Sequence, residues 1–355
     1  MFGSTEISLP SLFAWWTASG AVWVIAVNRV ASHVPDSIAK RVAIVGGLLV
    51  LGLAGTVGAV LWRGWQGLVV PLAVLVLVAL GELRRTALRR HYAASPPVSV
   101  SRAPGGWYRP ITTTDLVARR YELEVERLPV SRLRIAHLSD LHVGGGLPLD
   151  YYRSAFELAR EHDPDLLFVT GDLVSREADL EPLRQVLASI QHPRLGSFAI
   201  LGNHDHWVSS GRVRRLLGEA GVQLVQGRCH ALQLGDADDV FVCGDESPWG
   251  PRPRAYPQVG TTLVLSHTPD NVYTHDRSGV TAVFAGHLHA GQLRLPGLGA
   301  AAIPSRYGRR FDRGHFRVGS THLFVSSGVG GIPLRLWCEP DVLVIDLVAP
   351  HRPPI

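Results

Sequence analysis

The stretch Ser197-Phe198-Ala199-Ile200-Leu201-Gly202-Asn203-His204-Asp205 runs from apolar residues straight into an amide, an imidazole and a carboxylate. A short apolar run closed by glycine reads as a buried strand emptying into a loop. Four more polar clusters follow apolar runs in the same way: Asp140-x-His142, Gly171-Asp172, Ser266-His267 and Gly286-His287-x-His289. The apolar runs at 133–138, 165–170 and 197–201 alternate with helical patterns at 151–162, 180–190 and 213–220. That alternation argues for an α/β domain with parallel pairing. Further runs at 222–225, 240–243, 262–265, 280–285, 323–326 and 342–347 make the later half strand-rich and imply a second sheet.

In open α/β sheets, ligands gather at the carboxyl ends of strands. Every polar cluster falls at such an end, and Gly171, Gly202 and Gly286 allow sharp turns and close backbone approach there. Two carboxylates, an amide and several imidazoles exceed what one metal ion needs and suit two ions bridged by a carboxylate. Nitrogen and oxygen donors without thiolate fit Mn, Fe or Zn. Asp140, His142 and His289 complete one ion, Asn203, His267 and His287 the other, and Asp172 bridges them. Two divalent ions less Asp140, Asp172 and a hydroxide leave a net charge of about +1 for an incoming phosphate. This is equipment for attack of metal-activated hydroxide on phosphorus. His204 is then placed to protonate the leaving oxygen, with Asp205 orienting it. His206 and Trp207 are left to line the pocket.

The five blocks, in this order, resemble the calcineurin-like metallophosphoesterase family. The likeness spans residues 133–347, and Gly328-Val329-Gly330-Gly331 followed by Pro333-Leu334-Arg335 is similar to its membrane-associated branch. The resemblance implies a four-layer αββα sandwich of two mixed sheets, a dinuclear site with the ligands assigned above, and a phosphate-ester substrate. Some of the branch is similar to enzymes that cleave a pyrophosphate in a lipid-linked nucleotide. One departure from the branch's pattern is Gly286-His287-Leu288-His289-Ala290, where Leu288 and Ala290 replace two non-ligand positions.

The chain has 355 residues, 46% of them hydrophobic, and a formal net charge of +5. The apolar excess lies in residues 9–83. Runs at 9–30, 42–62 and 67–83 read as three membrane-crossing helices, the second uncharged over 21 residues. Arg29, Lys40 and Arg41 in the first loop and Arg84, Arg85, Arg89 and Arg90 after the third run place the main domain on the cytoplasmic side of an inner membrane. Lys40 is the only lysine. Arginine beside a membrane answers to anionic lipid rather than nucleic acid, and no nucleic-acid module is present. The expected partners are therefore a phosphate ester, lipid-linked or nucleotide-linked, and the membrane. Arg306, Arg309, Arg310, Arg313 and Arg317 form a late basic loop, read either as solvated or as recognising a phosphate or lipid head group. Gly144-Gly145-Gly146 reads as a turn. Cys229, Cys243 and Cys338 match no metal or redox spacing and read as reduced, buried thiols in a reducing compartment.

The resulting organisation is a transmembrane region at 1–90, a linker at 91–130, a metallophosphoesterase domain at 131–348 and a tail at 349–355. The linker carries Pro96-Pro97, Pro104-Gly105-Gly106 and Pro110, with an edge strand at 121–128. Readings of another class are a scaffold that kept the fold without turnover, and a nuclease or protein phosphatase.

Overall fold

Parallel strands buried on both faces need near-continuous apolar sequence, and the strands of this chain's large domain have it. The computed structural model describes residues 9–30, 38–61, 66–101, 109–234, 237–296, 299–300 and 302–350. Arg63, Pro104-Gly105-Gly106, the tail beyond 350 and the side chains of Arg29, Lys40 and Arg41 lie outside the described residues. The chain forms two compact units, one of residues up to His91 with Pro304–Arg310, the other of Tyr92–Ile303 with Phe311 onward.

In the first unit, helices α1 (Leu9–Val30), α2 (Ile38–Leu61) and α3 (Gln66–Tyr92) form where the apolar runs predict helix. Trp16 Nε1 donates to Thr56 Oγ1 at 3.0 Å, joining α1 to α2. The membrane-crossing reading, and the multi-pass inner-membrane placement with it, is overturned: among the described residues no helix is long and apolar enough to cross a membrane. In helix α3 charge cuts the apolar length short. Glu82, Arg84, Arg85, Arg89 and Arg90 lie within it. Its uncharged part, residues 66–81, rises only about 24 Å against a hydrocarbon core of ~30 Å. Glu82 is held by Arg309 at 2.7 Å, so part of the late arginine loop is spent on an internal ion pair.

The second unit is α/β with two mixed sheets. Strands β1 (Ser99–Val100), β2 (Val117–Glu124), β3 (Arg132–Leu138), β4 (Leu166–Thr170), β5 (Ser197–Ile200) and β6 (Gln223–Leu224) belong to the first sheet. The second sheet takes β7 (Cys229–Leu234), β8 (Ala237–Asp245), β9 (Thr261–Ser266) and β10 (Ala282–Ala285). A small ribbon pairs β11 (Arg294–Leu295) with β12 (Gly299–Ala300). Strands β13 (Gly314–Val318) and β14 (Thr321–Val325) join the second sheet, and β15 (Asp341–Val348) returns to the first. The orders are β1-β2-β15-β3-β4-β5-β6 and β13-β14-β10-β9-β8-β7. Strands β3, β4, β5 and β6 run parallel, as do β8, β9, β10 and β14, so each sheet gathers its carboxyl ends along one rim.

Ile135, Phe168, Phe198, Leu263, Phe284 and Phe324 fill the core between the sheets. The other face of the first sheet packs against α4 (Leu149–Arg160), α5 (Leu180–Leu187) and α6 (Asn203–Glu219) through Tyr152, Leu183 and Val213. A short α7 (Val272–Arg277) serves the second sheet.

Three local readings change. The strand expected on an edge is β2, which lies inside the sheet between β1 and β15. Its parallel pairing with a strand more than 200 residues away in sequence left no local trace. Helix α6 begins ten residues before its predicted start, so Asn203-His204-Asp205 is its first turn rather than a loop. Extended backbone at Ser209 (φ −175°) breaks the helix and separates that turn from the amphipathic part the periodicity picked out. Third, Cys229 and Cys243 are not reduced thiols: they form a disulfide. They stand directly opposite each other in the antiparallel β7–β8 pair, with Cα atoms 4.0 Å apart, a register that a spacing of 14 residues conceals. The reducing-compartment argument loses its basis with them. Cys338 is buried and unbridged.

Candidate metal centre

The site lies where the two rims meet. Ser139 to His142 follow β3, Gly171-Asp172 follow β4, Leu201 to Asn203 follow β5, His267 follows β9, and Gly286 to His289 follow β10. Beyond the last residues of β3 and β4 the ladder continues as tight turns: Asp140 N donates to Gly171 O (2.9 Å), His142 N to Asp172 O (2.9 Å) and Val143 N to Leu173 O (2.8 Å). Asp140, His142, Asp172, His287 and His289 all have positive φ, between 44° and 66°. For a non-glycine residue that costs about 1 kcal/mol or more and persists only where the surroundings enforce it. Five such residues among seven expected metal ligands mark a backbone bent to aim donors inward. Gly202 has an ordinary φ; it is glycine because a Cβ would lie 2.5 Å from Asp172 N and 2.6 Å from the His267 ring.

The donors fall into two groups, Asp140 with His142 and His289, and Asp172 with His267 and His287, the ligand atoms of each lying within 4.8 Å of one another. In the first, His142 Nε2 is 3.2 Å from His289 Nε2, and His289 Nε2 is 3.4 Å from Asp140 Oδ1. In the second, His267 Nε2 is 3.4 Å from Asp172 Oδ2 and 3.0 Å from Asn203 Oδ1, which brings Asn203 to this group. Asp172 Oδ2 is also 3.5 Å from His142 Nε2, so this carboxylate stands between the groups.

The donors fit metal ions on hydrogen-bonding grounds. His267 Nδ1 lies 2.7 Å from the carbonyl of Thr170, so Nδ1 carries the proton. In a neutral ring Nε2 is then a lone pair facing two oxygen acceptors, and only a cation reconciles them. With a proton as that cation, burial alone would lower the His267 pKa, but the Asp172 charge overrides burial and raises it to about 9. Burial lowers His142 to about 3 and pushes His289 well down, leaving both rings neutral as ligands must be. His142 Nδ1 is tied to Ser175 Oγ at 2.7 Å, which fixes its ring. Burial raises Asp140 to about 6, with the Asp172 charge adding to it. Burial would raise Asp172 too, but the surrounding imidazoles, His267 foremost, hold it well below the usual carboxylate range.

His204 sits at the rim, its ring edge-on to His142 with centroids 4.9 Å apart and 5.0 Å from the Trp207 indole. Its backbone N–H donates to Asp172 Oδ1 at 2.8 Å. Asp205 takes a different place from the one expected beside the His204 ring. At the third position of α6 its carboxylate turns back and accepts from Gly202 N (3.0 Å), Leu173 N (2.9 Å) and Val174 N (3.2 Å). It therefore welds the turn after β4 to the turn after β5. Burial and the neighbouring Asp172 charge raise its pKa to about 7.

Sequence reasoning missed Glu246, which is fully buried. It accepts from Leu201 N (2.8 Å), His206 Nε2 (3.0 Å) and Arg214 (3.1 Å), anchoring the opening stretch from below. Arg335, singled out in the sequence only as part of the motif after the glycine loop, is buried and donates to the carbonyls of Ser327, Gly328 and Gly330. Those bonds set the glycine loop against Asp140, where a Cβ on Gly328 would lie 2.8 Å from Asp140 Cβ. Glu246 had no local signal beyond its charge. In the late loop, Arg313 pairs with Glu339 at 3.3 Å. Gly144-Gly145-Gly146 forms a turn, with φ of 87° and 92° at its outer glycines.

Two mixed sheets that converge paired His/Asp groups on one rim define a metal-dependent phosphoesterase. Residues 133–291 match the family model described as calcineurin-like phosphoesterase. The chain is 26% identical over 226 residues to the uncharacterized metallophosphoesterase YkuE of Bacillus subtilis, covering 60% of this chain and 78% of that one. It is 28% identical over 253 residues to the phosphodiesterase YaeI of Escherichia coli, covering 68% and 89%. Among solved structures, TT1561 of Thermus thermophilus aligns with TM-score 0.37 and 11% identity over 56% of this chain and 90% of that one.

Proposed function

We propose that this phosphoesterase hydrolyses a phosphodiester or pyrophosphate bond in a nucleotide- or lipid-linked substrate, at a dinuclear centre in a four-layer αββα sandwich. Asp140, His142 and His289 hold one divalent ion; Asn203, His267 and His287 hold the other. The observation that carries this reading is the position of Asp172, whose Oδ2 is 3.5 Å from His142 Nε2 and 3.4 Å from His267 Nε2 and can serve both groups. A nitrogen and oxygen donor set favours Mn, Fe or Zn. Such ions, when bound, supply Lewis-acid activation of water and of the phosphoryl oxygen.

The chain's own residues supply the remainder. His204 protonates the leaving oxygen as general acid. Its backbone bond to Asp172 Oδ1 keeps the proton donor in register with the shared carboxylate. Asp205 contributes through the backbone, by fixing the turns that carry Asp172 and Asn203. The Thr170 and Ser175 contacts hold His267 and His142 in the orientation metal binding needs.

The test is hydrolysis of bis(p-nitrophenyl) phosphate beside p-nitrophenyl phosphate by the manganese-supplemented full chain, with metal content measured in parallel. Turnover of the diester, lost on chelation and restored by metal, is expected. A chain holding less than one ion, or one acting on the monoester alone, would refute the proposal.

A further inference from the structure

The metal groups are bracketed by indoles. Trp207 lies 5.0 Å from the His204 ring, as above, and at the other end Trp249 lies 5.0 Å from the His287 ring and 5.6 Å from the His267 ring, centroid to centroid. Trp249 is half-buried, on the turn that follows β8.

That turn is fixed on every side. The Glu246 carbonyl accepts from Trp249 N (3.0 Å) and Gly250 N (2.9 Å), and Glu246 N donates to Pro251 O (2.9 Å). Asn271 Nδ2 donates to Ser247 O at 2.8 Å. The Glu246 side chain, with its bonds to Leu201 N and His206, ties the same turn to the Gly202-Asn203-His204 segment. Gly250 packs so closely that a Cβ there would lie 2.7 Å from His206 Nε2. The backbone that carries the indole is thus fixed, and the indole itself rests against the His267 and His287 rings, which lowers the ordering cost of binding. An aromatic face of this kind stacks a planar ring, and it does so for any nucleobase.

We propose that Trp249 is the stacking platform for a nucleobase carried by the substrate's phosphoryl group, making the substrate class a nucleotide-linked ester or anhydride. This rests on the diester reading above and narrows it. A base stacked on Trp249 leaves its phosphate beside His287 and His267, within the second donor group.

The experiment is calorimetric binding to the manganese-loaded full chain, with inorganic phosphate, ribose phosphate and adenosine monophosphate as probes. The wild type is expected to bind adenosine monophosphate more tightly than ribose phosphate. In Trp249→Ala that preference falls on the order of 10-fold while phosphate affinity stays within about two-fold, and Trp249→Phe keeps most of the preference. Equal weakening of all three probes in Trp249→Ala would make the indole a structural support of His287 and overturn the proposal. An unchanged preference would overturn it too. Failure of the parent reading looks different: a wild type that hydrolyses no diester yet shows this base-dependent binding loses the activity assignment and keeps the platform.

Discussion

The first sheet sends Asp140, His142, Asp172, Asn203 and His204 to the rim, while the second sends His267, His287 and His289. One layer therefore supplies the carboxylates, the amide and the His142 imidazole, while the other supplies imidazoles alone. Each donor group draws on both layers: Asp140 and His142 with His289, and Asp172 with His267 and His287. Neither sheet holds a complete site, so ions bound there would cross-link two layers otherwise joined by apolar packing. The sheets also differ in how they are secured. Asp346 of β15 binds Arg134 of β3 and Arg120 of β2, each at 2.6 Å, locking the first sheet across three strands. The second has the Cys229–Cys243 disulfide at its β7 edge. The lesson is that function is split across the layers while stability is provided within each.

The contrast predicts where damage is greatest. Asp172→Asn removes the carboxylate that stands between the two groups, so diester turnover should fall by about 10³-fold or more and metal content should drop. Full occupancy in that variant would dismiss the shared-ligand role. His204→Ala removes no donor from either group. It should retain two ions and lose on the order of 10²-fold in kcat, and an unchanged rate would remove the acid role.

Smaller effects test the separate fastenings. Chelation should lower the thermal midpoint, because ions bound only by the folded state stabilise it; a midpoint indifferent to metal would argue against the cross-link. Thiol titration of unreduced, denatured protein should find one free thiol, that of Cys338. Reduction should cost about 2 kcal/mol in chemical denaturation, and three thiols before reduction would exclude the bridge.

The smallest effect is on acid stability. Burial alone would raise the Asp346 carboxyl, but hydrogen bonds from Arg134 and Arg120 hold it below its usual range. A folded-state pKa below the unfolded one adds stability that is complete above the unfolded value and is lost as pH falls through the folded one. Asp346→Asn should therefore lose stability at pH 7 and lose progressively less, relative to wild type, as pH falls below about 4. A destabilisation independent of pH would show that packing, not charge, matters there.

Much of this was legible in the chain. Apolar runs closed by Gly171, Gly202 and Gly286 announced strand ends, and the order of Asp, His and Asn after them announced a two-metal rim, because strand ends and donor types are local properties. What sequence leaves open is direction and partnership. Asp205 follows His204 in the chain, yet its carboxylate serves Leu173 and Val174 across the rim, since the first turn of α6 points it backward. The Cys229–Cys243 bridge depends on hairpin register. Glu246 and Trp249 reach the site only because β8 lies beside β9 in the second sheet. For the N-terminal runs, apolar composition determined helix, while the charges of Glu82 and the following arginines inside α3 limited how much apolar length it offers. The sequence by itself determined the candidate donors, their order and the class of chemistry, because those reside in residue type and strand-end position. Tertiary structure alone decided which donors share an ion, which carboxylate stands between the groups and which indoles bracket them, because those depend on distances between segments far apart in the chain.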